Sequence, residues 1–154
     1  MALEIGDKAP PFTALRDGGG EFSFSNNEES ATVLYFYPRD DTAGCTKEAI
    51  EFTTLLPQFR KADVRIIGVS KDSVKKHDKF RDKHDLGIIL VSDEQTTICE
   101  DYGVWVKKSM YGKTYMGIER STFLIAPDGK IKNIWRKVKA AGHAEVVLAE
   151  VKNR

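Results

Sequence analysis

The stretch YPRDDTAGCTKE, residues 37–48, holds one of the two cysteines of the chain, directly after a glycine and among charged residues. A free cysteine is ordinarily a small buried hydrophobe, and burial keeps it inert. Cys45 in so polar a stretch points instead to a reactive sulfur. The apolar run before it reads as a central strand and the segment after it as a helix. Cys45 then falls in the first helical turn, just past the C-terminal end of the strand, where open α/β sheets gather their sites. Free backbone N–H groups and the helix dipole favour an anion there, so a lowered thiol pKa is expected. Gly44 lets the chain approach closely without a Cβ, and Thr42 offers a hydroxyl in the same turn.

Ionisation alone gains little. A thiol of pKa ~8.5 is about 3% ionised at pH 7, so full ionisation is worth at most about 30-fold. Part of that is lost, because nucleophilicity falls with pKa. A fast reaction needs further groups that stabilise the transition state of whatever the sulfur attacks.

The elements that must position Cys45 follow from pattern. FTAL and EFSF flank the turn in RDGGGEF and form an N-terminal hairpin. TVLYFYP (32–38) is β-branched and aromatic, a buried strand closed by proline. From Gly44 to about Lys61, residues Ala49, Phe52, Leu55, Leu56 and Phe59 recur at helical steps. VRIIGVS (64–70) and GIILVSD (87–93) read as strands around a charged helix at 73–85, and Asp93 can cap a helix over 94–102. STFLIA (121–126) and IKNIWRKV (131–138) form a second hairpin around PDGK, and HAEVVLAEVK closes the chain as a helix. Strands separated by helices imply parallel neighbours, and the late hairpin adds antiparallel ones. The expected fold is α/β, a thioredoxin-like mixed sheet flanked by helices, in a single domain over 1–154.

The chain has 154 residues, 24 Lys and Arg against 23 Asp and Glu, and a formal net charge of +1. That balance carries no nucleic-acid footprint. The opening MALEIGDKAPPF lacks the basic and apolar regions of a signal peptide, and no apolar run approaches the ~20 residues of a membrane span. Two cysteines make no disulfide framework, so a cytoplasmic protein is the default expectation.

Pro38, Thr42 and Cys45 stand in P-x-x-x-T-x-x-C spacing, Glu48 follows in C-x-x-E spacing, and GIERSTFLI carries Arg120. With VSDEQTTICEDYGVW and MYGKTYMGIERSTFLI, these stretches resemble the Q-type (bacterioferritin-comigratory) peroxiredoxins over nearly the whole chain. The resemblance implies a thiol-dependent peroxidase without cofactor or metal, acting on hydrogen peroxide and organic hydroperoxides. It implies that Cys45 attacks the peroxide and cycles through a sulfenic acid. Arg120 would hold the sulfur and the leaving oxygen, and Thr42 and the Cys45 N–H would orient the peroxide. Pro38 would shield the site, and Glu48 would hold the arginine. The implied reductant is thioredoxin, glutaredoxin or glutathione, and the implied assembly a monomer or weak homodimer.

Two positions depart from that pattern. Ala43 stands where many relatives have proline, and Ile50 where many have a resolving cysteine; there it should help pin the helix. KFRDKHD, the other place for a resolver, has no sulfur. Cys99, beside Ile98 on a buried helix face, reads first as a core residue and second as a resolver that needs local unfolding. A one-cysteine cycle with an external thiol is therefore expected, with a two-cysteine cycle through Cys99 as the alternative. Glu48 in place of a second cysteine excludes a C-x-x-C exchanger, leaving a monothiol exchanger or a non-enzymatic holdase as rivals. His77 and His84, seven apart, read as part of a solvated helix face, and His143 has no evident partner. Lys107, Lys108, Lys113 and Lys139 interleave with Trp105, Tyr111 and Tyr115, a segment that reads as a loop framing the site.

Overall fold

The computed structural model describes residues 2–153; Met1 and Arg154, the ends of the expected domain, lie outside the described residues. The order is β1 (Phe12–Leu15), β2 (Glu21–Phe24), β3 (Ala31–Phe36), α1 (Ala43–Lys61), β4 (Val64–Ser70), α2 (Val74–His84), β5 (Ile89–Ser92), α3 (Ile98–Asp101), β6 (Trp105–Met110), β7 (Lys113–Ile118), β8 (Ser121–Ile125), β9 (Ile131–Trp135) and α4 (His143–Lys152). Five strands form the central sheet in the order β5-β4-β3-β8-β9. β3, β4 and β5 run parallel, while β8 and β9 are antiparallel additions. This is the mixed α/β sheet expected from the pattern, with the N-terminal hairpin β1–β2 beside it.

Side chains of a strand alternate between faces, so β3 divides the core in two. Val33, Tyr35 and Tyr37 pack with Ala49, Phe52 and Phe59 of α1, Phe80 of α2, and Val147 of α4. Leu34 and Phe36 pack on the other side with Phe22 and Phe24 of the hairpin, and with Ile98 and Tyr102 around α3. Cys45 belongs to the first cluster and Cys99 to the second. The sheet therefore lies between the two sulfurs.

The register also fixes the site. Phe36, the last residue of β3, pairs with Ser121, the first of the antiparallel β8. The chain leaving β3 toward Cys45 is thereby laid beside Arg120, 75 positions later in sequence.

Several expectations need correction. The segment read as a framing loop is the two-stranded ribbon β6–β7, paired from Trp105↔Ile118 to Met110↔Lys113. The helix expected over 94–102 is only Ile98–Asp101, because Asp93 reaches past a turn to accept from the Ile98 and Cys99 amides at 2.9 and 2.8 Å. Strand β9 ends at Trp135 rather than 138. Ile50 is 41% exposed, outside the core that holds the helix, since it lies beside the buried stripe formed by Cys45, Ala49, Phe52, Leu56 and Phe59.

Tyr35 stacks on Phe52 with centroids 4.7 Å apart, and its buried hydroxyl has no partner. Gly68, its neighbour on β4, leaves the space for the ring: a Cβ there would lie 3.0 Å from both Cζ and the hydroxyl. Gly68→Ala should therefore cost about 1–3 kcal/mol by overpacking. In a Tyr35→Phe background one of the two clashing atoms is gone, and urea denaturation should show a smaller loss. Equal losses in both backgrounds would mean that this contact does not set the cost.

Candidate active site

Residues 37–42 connect β3 to α1. Thr42 is the N-cap in extended conformation, yet its hydroxyl donates back to the Arg39 carbonyl at 3.0 Å instead of capping the helix. The first helical hydrogen bond runs from the Thr46 N–H to the Thr42 carbonyl. The amides of Ala43, Gly44 and Cys45 are thus the orphan donors of a helix start, beside the sulfur. Cys45 is only 1% exposed, despite its polar sequence neighbours.

Arg120 Nη2 donates to Cys45 Sγ at 3.4 Å, and Nη1 donates to Glu48 Oε1 at 2.6 Å. Cys45 and Glu48 are three apart on α1, so they share a face, and a single planar guanidinium spans both. Gly44 leaves room for this approach: a Cβ would lie 3.2 Å from Arg120 Nη2, a tight contact. Burial raises the Glu48 pKa from 4.5 to about 7, outweighing the opposing pull of Arg120; its second oxygen, Oε2, has no partner. Arg120 is also desolvated, but the negative charges of Glu48 and Cys45 hold its proton more firmly still. The guanidinium and the free amides are all groups that attract negative charge.

Pro38, Arg39 and Thr42 form one wall of a groove of about 630 Å³ beside this cluster. The β6–β7 ribbon forms much of the rest, with Trp105, Met116 and Ile118 as apolar lining and Lys108 as a cation. Pro38 and Thr42 are exposed at its edge. The structure thus brings together Cys45, Glu48 and Arg120 in direct contact, with Thr42 and Pro38 on the adjoining wall. Cys99 stands apart, its amide tied to Asp93, and its thiol is driven strongly toward the neutral form by burial and then by the Asp93 charge.

The reading of His77 as solvated is wrong. His77 is fully buried, with Nδ1 2.6 Å from Asp40 Oδ2 and Nε2 3.0 Å from the Val91 carbonyl. A carbonyl only accepts, so Nε2 donates, while Nδ1 faces the Asp40 carboxyl. Burial lowers its pKa, but the Asp40 hydrogen bond and charge more than offset this and raise it. The Tyr37 hydroxyl donates to the other Asp40 oxygen at 2.6 Å, and the Asp40 amide donates to Asp72 at 2.8 Å. His84 lies on the same helix face and meets Asp41 at 2.9 Å. The only signal for this clamp in the sequence was that both histidines share a face with Phe80, the single aromatic of α2. His143 is paired as well, with Thr122 Oγ1 at 2.8 Å.

Comparisons with known proteins show which family has this fold. The AhpC/TSA family model matches residues 5–134. The chain is 51% identical to a putative peroxiredoxin Bcp of Coxiella burnetii over 96% of its own length and 98% of the relative's. It is 44% identical to peroxiredoxin Bcp of Bacillus subtilis, over 99% and 98%. Among solved structures, a cysteine-to-serine mutant of Xylella fastidiosa PrxQ superposes with a TM-score of 0.93 at 41% identity, covering 99% of this chain and 98% of that one. The Xanthomonas campestris bacterioferritin comigratory protein, a structure concerned with alkyl peroxide reduction, superposes with a TM-score of 0.87 at 46% identity, over 92% and 90%. These neighbours share the thioredoxin-like arrangement of sheet and helices. The chain belongs to the AhpC/TSA family, in its Q-type (Bcp) peroxiredoxin branch.

Proposed function

We propose that this thiol-dependent peroxidase works through Cys45 as its peroxidatic residue. The observation that carries this reading is the Arg120 fork, which touches Cys45 Sγ and Glu48 at once. The thiolate attacks the distal oxygen of a hydroperoxide; the S–O bond forms as the O–O bond breaks, giving Cys45 sulfenic acid and an alkoxide or hydroxide that takes up a proton. Arg120 stabilises the charge as it moves from sulfur to the leaving oxygen, a role of the oxyanion-hole kind. Glu48 holds the guanidinium in place, the free N–H of Cys45 orients the peroxide, and Thr42 and Pro38 bound its approach.

The apolar lining of the groove supports organic hydroperoxides as substrates alongside hydrogen peroxide. An external thiol returns the sulfenic acid to thiolate, from thioredoxin, glutaredoxin or glutathione in a reducing, cytoplasmic setting. Three features support this one-cysteine cycle: Cys99 is buried, on the far side of the sheet, and held as a neutral thiol. The assembly that accompanies this reading is a monomer or a weak homodimer. The chemistry uses no metal or cofactor, and one domain carries all of it.

Intact mass after one equivalent of hydrogen peroxide tests the assignment. Wild type and Cys99→Ser should each gain one oxygen, while Cys45→Ser gains none and loses peroxidase turnover. A loss of two hydrogens in wild type alone would identify a Cys45–Cys99 disulfide and a resolving role for Cys99.

Replacing Arg120 by lysine keeps the charge but loses the fork. The rate of Cys45 oxidation at saturating ionisation should fall by ~10²-fold or more, the scale of a lost oxyanion-hole donor. An unchanged rate there would reduce Arg120 to a modifier of sulfur ionisation.

Glu48 makes a pH prediction whose sign follows from its raised pKa. Between pH 4.5 and about 7 the native state keeps a proton that the unfolded chain has released. Stability is therefore lost as pH rises through that window, by up to about 3 kcal/mol. Glu48→Gln removes the titration while keeping an acceptor for Arg120. Its urea midpoint should change less than that of wild type between pH 5 and pH 8, and parallel curves would show that Glu48 does not titrate there.

A further inference from the structure

Breaking the O–O bond leaves a strongly basic oxygen; for hydroxide the conjugate acid has a pKa of ~15.7. Something must supply its proton, and Arg120 is unsuited, because a guanidinium is effectively always protonated. The Thr42 hydroxyl already donates to Arg39, the Tyr37 hydroxyl donates to Asp40, and His77 spends both ring nitrogens in its clamp. His143 is held toward its neutral form, at about 4, by burial and then by the Arg120 charge, and Thr122 occupies its Nε2. Glu48 is fully buried, and its Oε1 already accepts from Arg120 at 2.6 Å.

Lys108 does line it, with Thr42 and Pro38. It is half-buried on β6, and its stem lies against Gly117 of β7, where a Cβ would come within 3.2 Å of Lys108 Cδ. The ribbon register pairs Lys108 with Tyr115 and Val106 with Gly117, so positions 108 and 117 are diagonal neighbours. A glycine at 117 thus gives the lysine a flat bed along the groove. Across the same groove Lys71 is neutralised by Asp93 and Glu100, whereas no carboxylate forms an ion pair with Lys108 among the described residues.

We propose that Lys108 is a catalytic residue of the peroxidase reaction, donating its ammonium proton to the departing oxygen. The proposal rests on Cys45 as the attacking sulfur. The Cys45 thiolate forms the S–O bond, the O–O bond breaks, and its electron pair goes to the leaving oxygen. That oxygen takes a proton from Lys108 Nζ and departs as water or alcohol; the neutral amine then regains a proton from solvent. With a lysine pKa near ~10.4 against ~15.7 for water, the transfer is strongly downhill.

The surroundings tune the donor. Burial and then the positive charge of Arg120 lower the Lys108 pKa, while Glu119 and Cys45 oppose them. Arg39, Lys71, Lys76 and Glu94 also face the groove, and Tyr115 stands opposite on β7. Once the thiolate's charge has passed to the leaving oxygen, the proton has a nearby anion to follow.

Oxidants that differ in their need for a proton separate this role from simple charge attraction. Cys45 oxidation would be followed at pH 7 by tryptophan fluorescence in wild type, Lys108→Met and Lys108→Arg. Hydrogen peroxide expels hydroxide, whereas peracetic acid expels a carboxylate whose pKa of roughly 4 needs no donor. Both variants should lose about 10²-fold with hydrogen peroxide, on the scale of general acid catalysis, and under threefold with peracetic acid. The wild-type rate with hydrogen peroxide should also fall at alkaline pH, below the ordinary lysine range, and this limb should be absent in Lys108→Met. Equal losses with both oxidants, no loss with either, or full activity in Lys108→Arg would overturn the proposal. Failure of wild type to react with either oxidant would instead overturn the peroxidase assignment of Cys45.

Discussion

Everything at the site depends on one guanidinium being planar and largely withdrawn from water. Arg120 must meet a sulfur and a carboxylate together, and it is desolvated in doing so. Removing a charge from water is costly unless its partners hold it tightly, and here two partners on successive turns of one helix do that. The rest of the architecture keeps the three atoms in register. The antiparallel pairing of Phe36 with Ser121 brings the arginine alongside, the Cys45–Glu48 spacing aligns the acceptors, and Gly44 removes the Cβ that would intrude. None of these features is chemical by itself, but each removes a degree of freedom from the fork.

The loop before Cys45 is held from the opposite direction. Tyr37, Asp40 and His77 bind it to α2, with Asp72 taking the Asp40 amide and Ser70 supporting Asp72 at 2.7 Å. The helix start that bears the sulfur is therefore fixed between two buried pairs, Glu48 with Arg120 just ahead of β8 and Asp40 with His77 on α2. Such networks are costly when incomplete and rigid when satisfied. Among the described residues, Glu48 Oε2 has no partner, and neither has the hydroxyl of Tyr35, which packs in the same core cluster as Cys45.

What the sequence made legible was whatever is local or periodic. Cys45 and Glu48 share a helix face through three-residue spacing, and the alternation of β3 is visible in its β-branched and aromatic residues. Arg120 was placed by family resemblance, since no local rule reaches across 75 positions. The ribbon β6–β7 escaped notice because it stands off the main sheet, and most of its positions are exposed or only half-buried. With no buried face there is little alternation to read. His77 was misjudged for the converse reason. A helix face of lysines, aspartates and histidines reads as solvated until carboxylates from another segment come to meet it.

The clamp around His77 also bears on how such a chain can vary over generations. Both imidazole nitrogens and both Asp40 oxygens are engaged, so a change at either residue alters what the other must be satisfied by. Losing Asp40 alone would take away the hydrogen bond and charge that raise the His77 pKa against burial; losing His77 alone would strand a buried carboxyl. Positions 40 and 77, on separate elements and outside the reacting atoms, are thus bound into one heritable unit. Change at either is therefore felt at the other, and any covariation between them would be a record of structure rather than of chemistry.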